Sequence, residues 1–207
     1  MWLRSLALLL GIAGLAALLA SGPGTRLGLW DWRAGLGLLR YAVYLGIAST
    51  VLSIAGALVP RYRGKVLLLS LAMGIAALAP PLFFLQQARS VPPINDIATD
   101  AESPAQREAY PDIGPILIKD GREKAFARAS AAVEALGWEI VAREPAAGRI
   151  EAVDTTAWFG FKDDVVVRVA EVPGGSRIDV RSKSRVGLGD AGTNAKRIRE
   201  FRAKLLE

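Results

Sequence analysis

The sequence predicts a three-helix transmembrane segment followed by an α+β domain: a helix, a four-stranded antiparallel meander and a second helix, packed as a two-layer sandwich. Three observations carry this. Apolar runs Leu3–Ala20, Leu36–Val59 and Val66–Leu85 fill the first 90 residues, and about 20 apolar residues suffice to cross a hydrocarbon core of about 30 Å. Four stretches after Gly137 alternate apolar and polar residues, the period of a half-buried strand. Segments with helical periodicity flank those stretches on both sides. The expected division is residues 1–90 for the membrane region, 91–115 for an extended linker and 116–207 for the α+β domain.

In the membrane half, Leu3–Ala20 also fits a cleavable leader at Leu18-Leu19-Ala20, but a single Arg makes a weak n-region and further spans follow, so a retained helix is preferred. Gly11 and Gly14 would let a neighbouring helix approach, or are ordinary glycines of a Leu/Ala/Gly-rich chain. Trp30, Trp32, Tyr41 and Tyr44 suit a membrane–water interface. The loop Pro60–Lys65 carries three cations in six residues, which places it in the cytoplasm by the positive-inside rule. The N-terminus is then cytoplasmic, and everything after Leu85 lies outside. The expected location is the inner membrane, multi-pass, with a periplasmic or extracytoplasmic C-terminal domain. No acidic residue lies within a span, so the helices read as an anchor rather than a transport path.

Pro80-Pro81 falls late in the third run, and Val91–Asp100 leaves it as an extended segment. Asp120 to Gly137 has Phe126, Ala129, Val133 and Leu136 on one face, with Asp120 as N-cap and Gly137 as terminator. The strands are Trp138–Arg143, Arg149–Asp154, Asp164–Ala170 and Arg177–Lys183, joined at Glu144–Gly148 and Val172–Gly175 by turn residues. Asp190–Leu206 closes the domain, with Ile198, Phe201 and Leu205 on its apolar side. Because the last strand is polar on one face, both helices are expected to cover the other.

The chain lacks Cys and His, which excludes disulfides, thiolate and imidazole catalysis, and zinc sites on N or S ligands; no cofactor or metal is expected. The net charge of +6 arises in the membrane half, where eight basic residues face Asp31 alone. The rest of the chain is nearly balanced, so no nucleic-acid footprint is present. Within it, Ser176–Glu207 carries nine basic and four acidic residues, a local positive patch.

Gly187-Leu-Gly-Asp-Ala-Gly192 matches G-x-G-x-x-G, but a dinucleotide site needs a further parallel strand after the helix, and here the chain ends with that helix. What remains is a helix start able to hold an anion, with Arg181, Ser184, Arg185, Gly189, Thr193 and Asn194 as ligand-binding candidates. The competing reading is that Asp190 or Thr193 caps the helix itself. Asp163 and Asp164 are adjacent and point to opposite faces, whereas Asp154 and Asp163 share the parity of the apolar face. These three carboxylates form a possible cluster, read either as a site or as ion-pair partners of Arg181 or Arg185. Trp158-Phe-Gly-Phe161 is an apolar loop that either packs over a sheet end or meets a membrane or ligand.

Trp158-Phe-Gly-Phe-Lys-Asp-Asp164, Val180-Arg-Ser-Lys-Ser-Arg-Val-Gly187, Asp190-Ala-Gly-Thr-Asn-Ala-Lys-Arg197 and the linker Pro93–Asp100 together resemble the bacterial DUF1499 family, over about Val91 to Leu206. The resemblance implies a domain of unknown function, often membrane-tethered, and supplies no catalytic residues. Relatives often carry His where this chain has Asn95, so a His-dependent role would not transfer. The expected function is a non-enzymatic, membrane-anchored extracytoplasmic domain binding an anionic small molecule, a lipid headgroup or an envelope protein, with the lipid bilayer as its other partner. The alternative is a hydrolase at the membrane surface using Asp154, Asp163 or Asp164 with Arg185.

Overall fold

Small residues decide how the N-terminal helices pack. The computed structural model describes residues 2–207, which divide into two units: those up to Gln86 with Ala157–Gly160, and the remainder. In the first, α1 (Trp2–Arg26), α2 (Trp32–Ala57) and α3 (Lys65–Arg89) are each long and apolar enough to cross a membrane. A short 3-10 turn, Pro60–Tyr62, lies between the last two. The buried positions step by threes and fours: Ala7, Gly11, Gly14 and Leu18 on α1; Ala42, Gly46, Ser49, Ser53 and Gly56 on α2; Leu67, Ser70, Gly74 and Ala77 on α3. Such a stripe lets backbones approach closely where lipid offers no hydrophobic drive. A Cβ on Gly14 would sit 3.3 Å from Gly46 N, and one on Gly74 would sit 2.5 Å from Thr50 Oγ1. Ser49 Oγ lies 2.8 Å from Ala7 O and 3.0 Å from Ser70 O, so one hydroxyl hydrogen is shared between carbonyls of both neighbouring helices. Leu9, Ile12, Ile47, Val51, Leu68 and Ile75 point outward and are exposed, as lipid-facing residues must be. In the same unit Trp158 Nε1 donates to Ser21 Oγ at 3.4 Å, and Arg26 Nη1 donates to Ala157 O at 2.6 Å.

The second unit is a two-layer α+β domain. Its strands are β1 (Asp96–Ala98), β2 (Ile116–Ile118), β3 (Glu139–Glu144), β4 (Arg149–Thr155), β5 (Lys162–Val172) and β6 (Gly175–Ser184), and its helices are α4 (Pro104–Ala109), α5 (Arg122–Ala135) and α6 (Thr193–Leu206). The sheet is antiparallel throughout, in the order β1-β6-β5-β4-β3, with β2 also on β6. The meander β3 to β6 is as the alternation predicts. The sheet has six strands rather than four, because β1 and β2 share the free edge of β6. β1 pairs with Arg181–Lys183 and β2 with Ser176–Ile178. Between them Thr99 N donates to Val180 O and Val180 N donates to Thr99 Oγ1, both at 2.9 Å. Three-residue strands are too short to show a period, so their pairing is set by the long strand they lie against. The stretch read as an extended linker therefore contains β1 and α4 and contributes Ile97, fully buried, and Tyr110 to the core.

The inward parity of β4, β5 and β6 (Ile150, Ala152; Val165, Val167, Val169; Ile178, Val180) meets Phe126, Ala129 and Val133 of α5 and Ala195, Ile198, Phe201 and Leu205 of α6. Trp138 stacks on Phe201 with centroids 5.9 Å apart. The alternation of β3 is interrupted by a bulge between Ile140 and Ala142, which leaves Val141 exposed. Asp120 does not cap α5. The N-cap is Gly121, and the Asp120 carboxylate instead binds Lys124 Nζ at 2.7 Å and Arg128 Nη1 at 2.6 Å. Likewise α6 starts three residues later than predicted, because Ala191 (φ 54°) and Gly192 (φ 80°) are both left-handed and cannot lie in the helix. The outer edge of β1 is closed by a side chain: Gln106 Oε1 accepts from Ala98 N at 3.1 Å and Gln106 Nε2 donates to Ala98 O at 2.6 Å.

Candidate functional site

The strand register sorts the candidate residues onto the two faces of the sheet. On the helix-free face, Asp164 lies opposite Lys183, and Lys183 opposite Asp96. Arg181 binds Asp96 with Nε to Oδ1 at 2.8 Å and Nη2 to Oδ2 at 2.5 Å. Arg185 also binds Asp164 through two nitrogens, with Nε 3.0 Å from Oδ1 and 3.1 Å from Oδ2 and Nη2 2.6 Å from Oδ1. Lys183 Nζ is 3.6 Å from Asp96. Hydrogen bonds from Arg181, more than anything else, hold the Asp96 carboxyl below its ordinary range, and burial opposes them. Asp164, through its hydrogen bonds first and then its charge, raises the pKa of Arg185.

At the start of α6 the amides are filled from within. Asp190 Oδ1 accepts from Gly192 N at 2.9 Å and Oδ2 from Asn194 N at 2.6 Å, while Thr193 Oγ1 donates to Asp190 O at 2.7 Å. The Asp190 carboxylate occupies the place an external anion would take. Gly189 packs against Pro93, where a Cβ would meet Pro93 Cα at 3.0 Å.

On the covered face, four polar side chains converge on Arg197. Its Nε donates to Asp154 Oδ2 at 2.8 Å, Nη1 to Ser182 Oγ at 2.9 Å and to Asn194 Oδ1 at 2.6 Å, and Nη2 to Asp163 Oδ2 at 2.7 Å. Nη2 is also 2.7 Å from Asp154 Oδ2. Asn194 Nδ2 donates in turn to Ser184 Oγ and to Asn95 O, both at 3.0 Å. The guanidinium thus donates four hydrogen bonds, at least one from each of its three nitrogens. Asp154 and Asp163 are opposite residues of β4 and β5, as their shared parity requires, and one cation holds both.

The candidates therefore fall into three places. Ser184, Asn194, Asp154 and Asp163 belong to the buried cluster; Arg181, Arg185 and Asp164 lie on the opposite face; Gly189 and Thr193 shape the turn. Arg197 itself was not singled out from the sequence. Its signal was present: Asn194 and Arg197 lie on the stripe of α6 that also carries Ile198, Phe201 and Leu205. The inward parity of β4 to β6 turns polar at one end, at Asp154, Asp163, Ser182 and Ser184. A polar patch on a helix stripe opposite a polar patch on a sheet face predicts a buried network. Among the described residues no group of three or more carboxylates is placed to hold a metal ion.

The profile described as "Protein of unknown function (DUF1499)" matches residues 88–205, more than half of the chain. The chain belongs to the DUF1499 family. Its DUF1499 region runs from the end of α3 to the last turn of α6, so it takes in all six strands and the Arg197 cluster. No curated protein matches the chain.

Proposed function

We propose that this DUF1499 protein is a membrane-anchored, non-enzymatic binding module whose C-terminal domain lies outside the cytoplasm, on the inner membrane, and engages an anionic group of the phosphate or carboxylate class, such as a lipid headgroup. The observation that carries the reading is the row Arg181, Lys183 and Arg185 on the helix-free face. All three are about half exposed, and two are already oriented as bidentate forks by Asp96 and Asp164. Exposed ion pairs contribute only about 0–1 kcal/mol each, so a stronger anion can displace these carboxylates at little cost. Arginine forks match phosphate and carboxylate oxygens in pairs. The non-catalytic part of the reading is supported by Arg197, which engages both Asp154 and Asp163 and so ties up the carboxylate pair a hydrolase would use. The orientation is supported by the three cations of Arg61–Lys65.

The test is thermal unfolding of the full chain in nonionic detergent, titrated with phosphate, glycerol phosphate and small carboxylates at fixed ionic strength. Wild type should be stabilised by at least one of these anions, and Arg181→Gln and Arg185→Gln should lose that response. A flat response in wild type overturns the binding reading. Proteolysis of sealed right-side-out vesicles tests the orientation, and a C-terminal domain protected until lysis would reverse it.

A further inference from the structure

The second place where cations gather is the end of the helix bundle where α1 starts and α2 meets α3. Arg4 in the first turn of α1 donates through Nη2 to Arg61 O in the 3-10 turn, and its Nη1 lies 3.6 Å from where a Cβ on Gly64 would be. Arg63 Nε donates to Ala57 O at 2.8 Å, at the C-terminus of α2, and Arg61 lies over the Tyr62 ring at 4.7 Å. Lys65 opens α3. Among the described residues, none of these four cations forms an ion pair with a carboxylate. The only acidic residue in the first 90 is Asp31, whose Oδ1 caps the other end of α2 by accepting from Arg33 N and Ala34 N. The C-terminal domain is built differently: Arg149, Arg168, Arg177, Arg181, Arg185, Arg197 and Arg199 each contact a carboxylate.

A second observation is independent of the charge count. Arg4 Nε is buried and has no hydrogen-bond partner. Leaving a buried charge-bearing donor unpaired is costly, so such a group normally has an acceptor. The lengths fix where that acceptor would be. α1 has 25 residues, about 37 Å at 1.5 Å per residue, against a hydrocarbon core of about 30 Å. Its first turn therefore reaches the level of lipid headgroups.

We propose that Arg4, Arg61, Arg63 and Lys65 form a binding site for the phosphate group of an anionic phospholipid. The guanidinium of Arg4, already anchored to the Arg61 carbonyl, supplies the oriented donor. Arg61, Arg63 and Lys65 supply charge that the chain does not compensate. This site is on the membrane unit and does not rest on the reading of the sheet face.

The test uses the full chain purified in a nonionic detergent and examined by native mass spectrometry for retained phospholipid. Wild type should retain phosphatidylglycerol or another anionic phospholipid in preference to phosphatidylcholine. Arg4→Gln and the double variant Arg61→Gln/Arg63→Gln should retain at least tenfold less, and the control Arg26→Gln/Arg33→Gln should retain as much as wild type. Circular dichroism establishes that each variant keeps its helicity. Should Arg4→Gln fail to fold, wild type alone decides: added phosphatidylglycerol should raise its Tm, added phosphatidylcholine should not, and the gain should fall with salt. An equal gain from inorganic phosphate would make the source free phosphate rather than lipid. Retention without preference for anionic headgroups, or retention unchanged in both variants at this end, overturns the site.

Discussion

Arg197 and Asp163 meet at 2.7 Å beneath the sheet, with side-chain exposures of only 3% and 4%. Taking such a pair out of water is expensive, and the penalty is offset only when every donor and acceptor is used. Here the strand register delivers the acceptors from one side and α6 the donor from the other. The cluster therefore acts as a test of register, since a one-residue slip of β5 would point Asp163 at solvent and leave Arg197 short of an acceptor.

Removing one member should be worse than removing two. Arg197→Met leaves Asp163 buried without its cation and should destabilise by about 3–5 kcal/mol. Asp163→Asn/Arg197→Met should be less destabilised than the sum of the single changes. Chemical denaturation of the three variants measures the coupling, and strict additivity would show that the two side chains do not act together.

Gly192 separates backbone strain from crowding. Its φ is 80°, and the nearest atom to an added Cβ is Val91 Cγ1 at an ordinary 3.5 Å. Gly192→Ala and Gly192→Val should therefore both lower the unfolding free energy, each by about 1–2 kcal/mol from the left-handed conformation, with Gly192→Asn less affected. A loss confined to Val would point to crowding instead.

Acid should weaken the pairing of β1 with β6. The Asp96 carboxyl is held low by Arg181, so its folded value lies below its unfolded one. Its stabilisation is then present above the ordinary carboxylate value of about 3.9 and is lost as pH falls below it. Asp112, held low chiefly by Arg199, has the same sign. Denaturation midpoints from pH 6 to pH 3 should fall less steeply in Arg181→Gln than in wild type. Parallel curves would rule out Asp96 as a contributor.

Tyr110 presents the opposite case, a polar atom whose removal should do no harm. Its hydroxyl is buried without a hydrogen-bond partner, and burial, with Asp190 nearby, pushes the phenol up while Arg199 opposes. Tyr110→Phe keeps the ring in the core and removes the unsatisfied group, so Tm should be unchanged or higher. A clear fall in Tm would mean that the hydroxyl is engaged.

The long elements were legible because their signals are periodic. Apolar runs free of acidic residues mark α1 to α3, and alternation marks β4 to β6, where Val165, Val167 and Val169 share one side. β1, β2 and α4 were not legible, because three to six residues hold no period and their conformation comes from pairing with β6. The candidate site was legible by residue type but not by partner. Arg181 and Arg185 were singled out, yet their partners, Asp96 and Asp164, follow from cross-strand register, which a sequence does not display. Asp190 as the anchor of the α6 start was one of two readings the turn allowed, and its two accepted amides decide between them.

Gln106 makes the closure of the β1 edge depend on one side chain. A strand at the edge of β1 could leave only by unzipping several bonds in sequence, whereas one amide clasps both polar groups of Ala98 and releases both in a single side-chain rotation. The clasp is set on α4, a helix of only six residues, too short to hold itself together in isolation. Release of Gln106 and melting of α4 would then be expected together. Release would leave the N–H and C=O of Ala98 without partners, as at any unpaired strand edge. Amide exchange at Ala98 would time this event, running faster than exchange at its neighbours on β6.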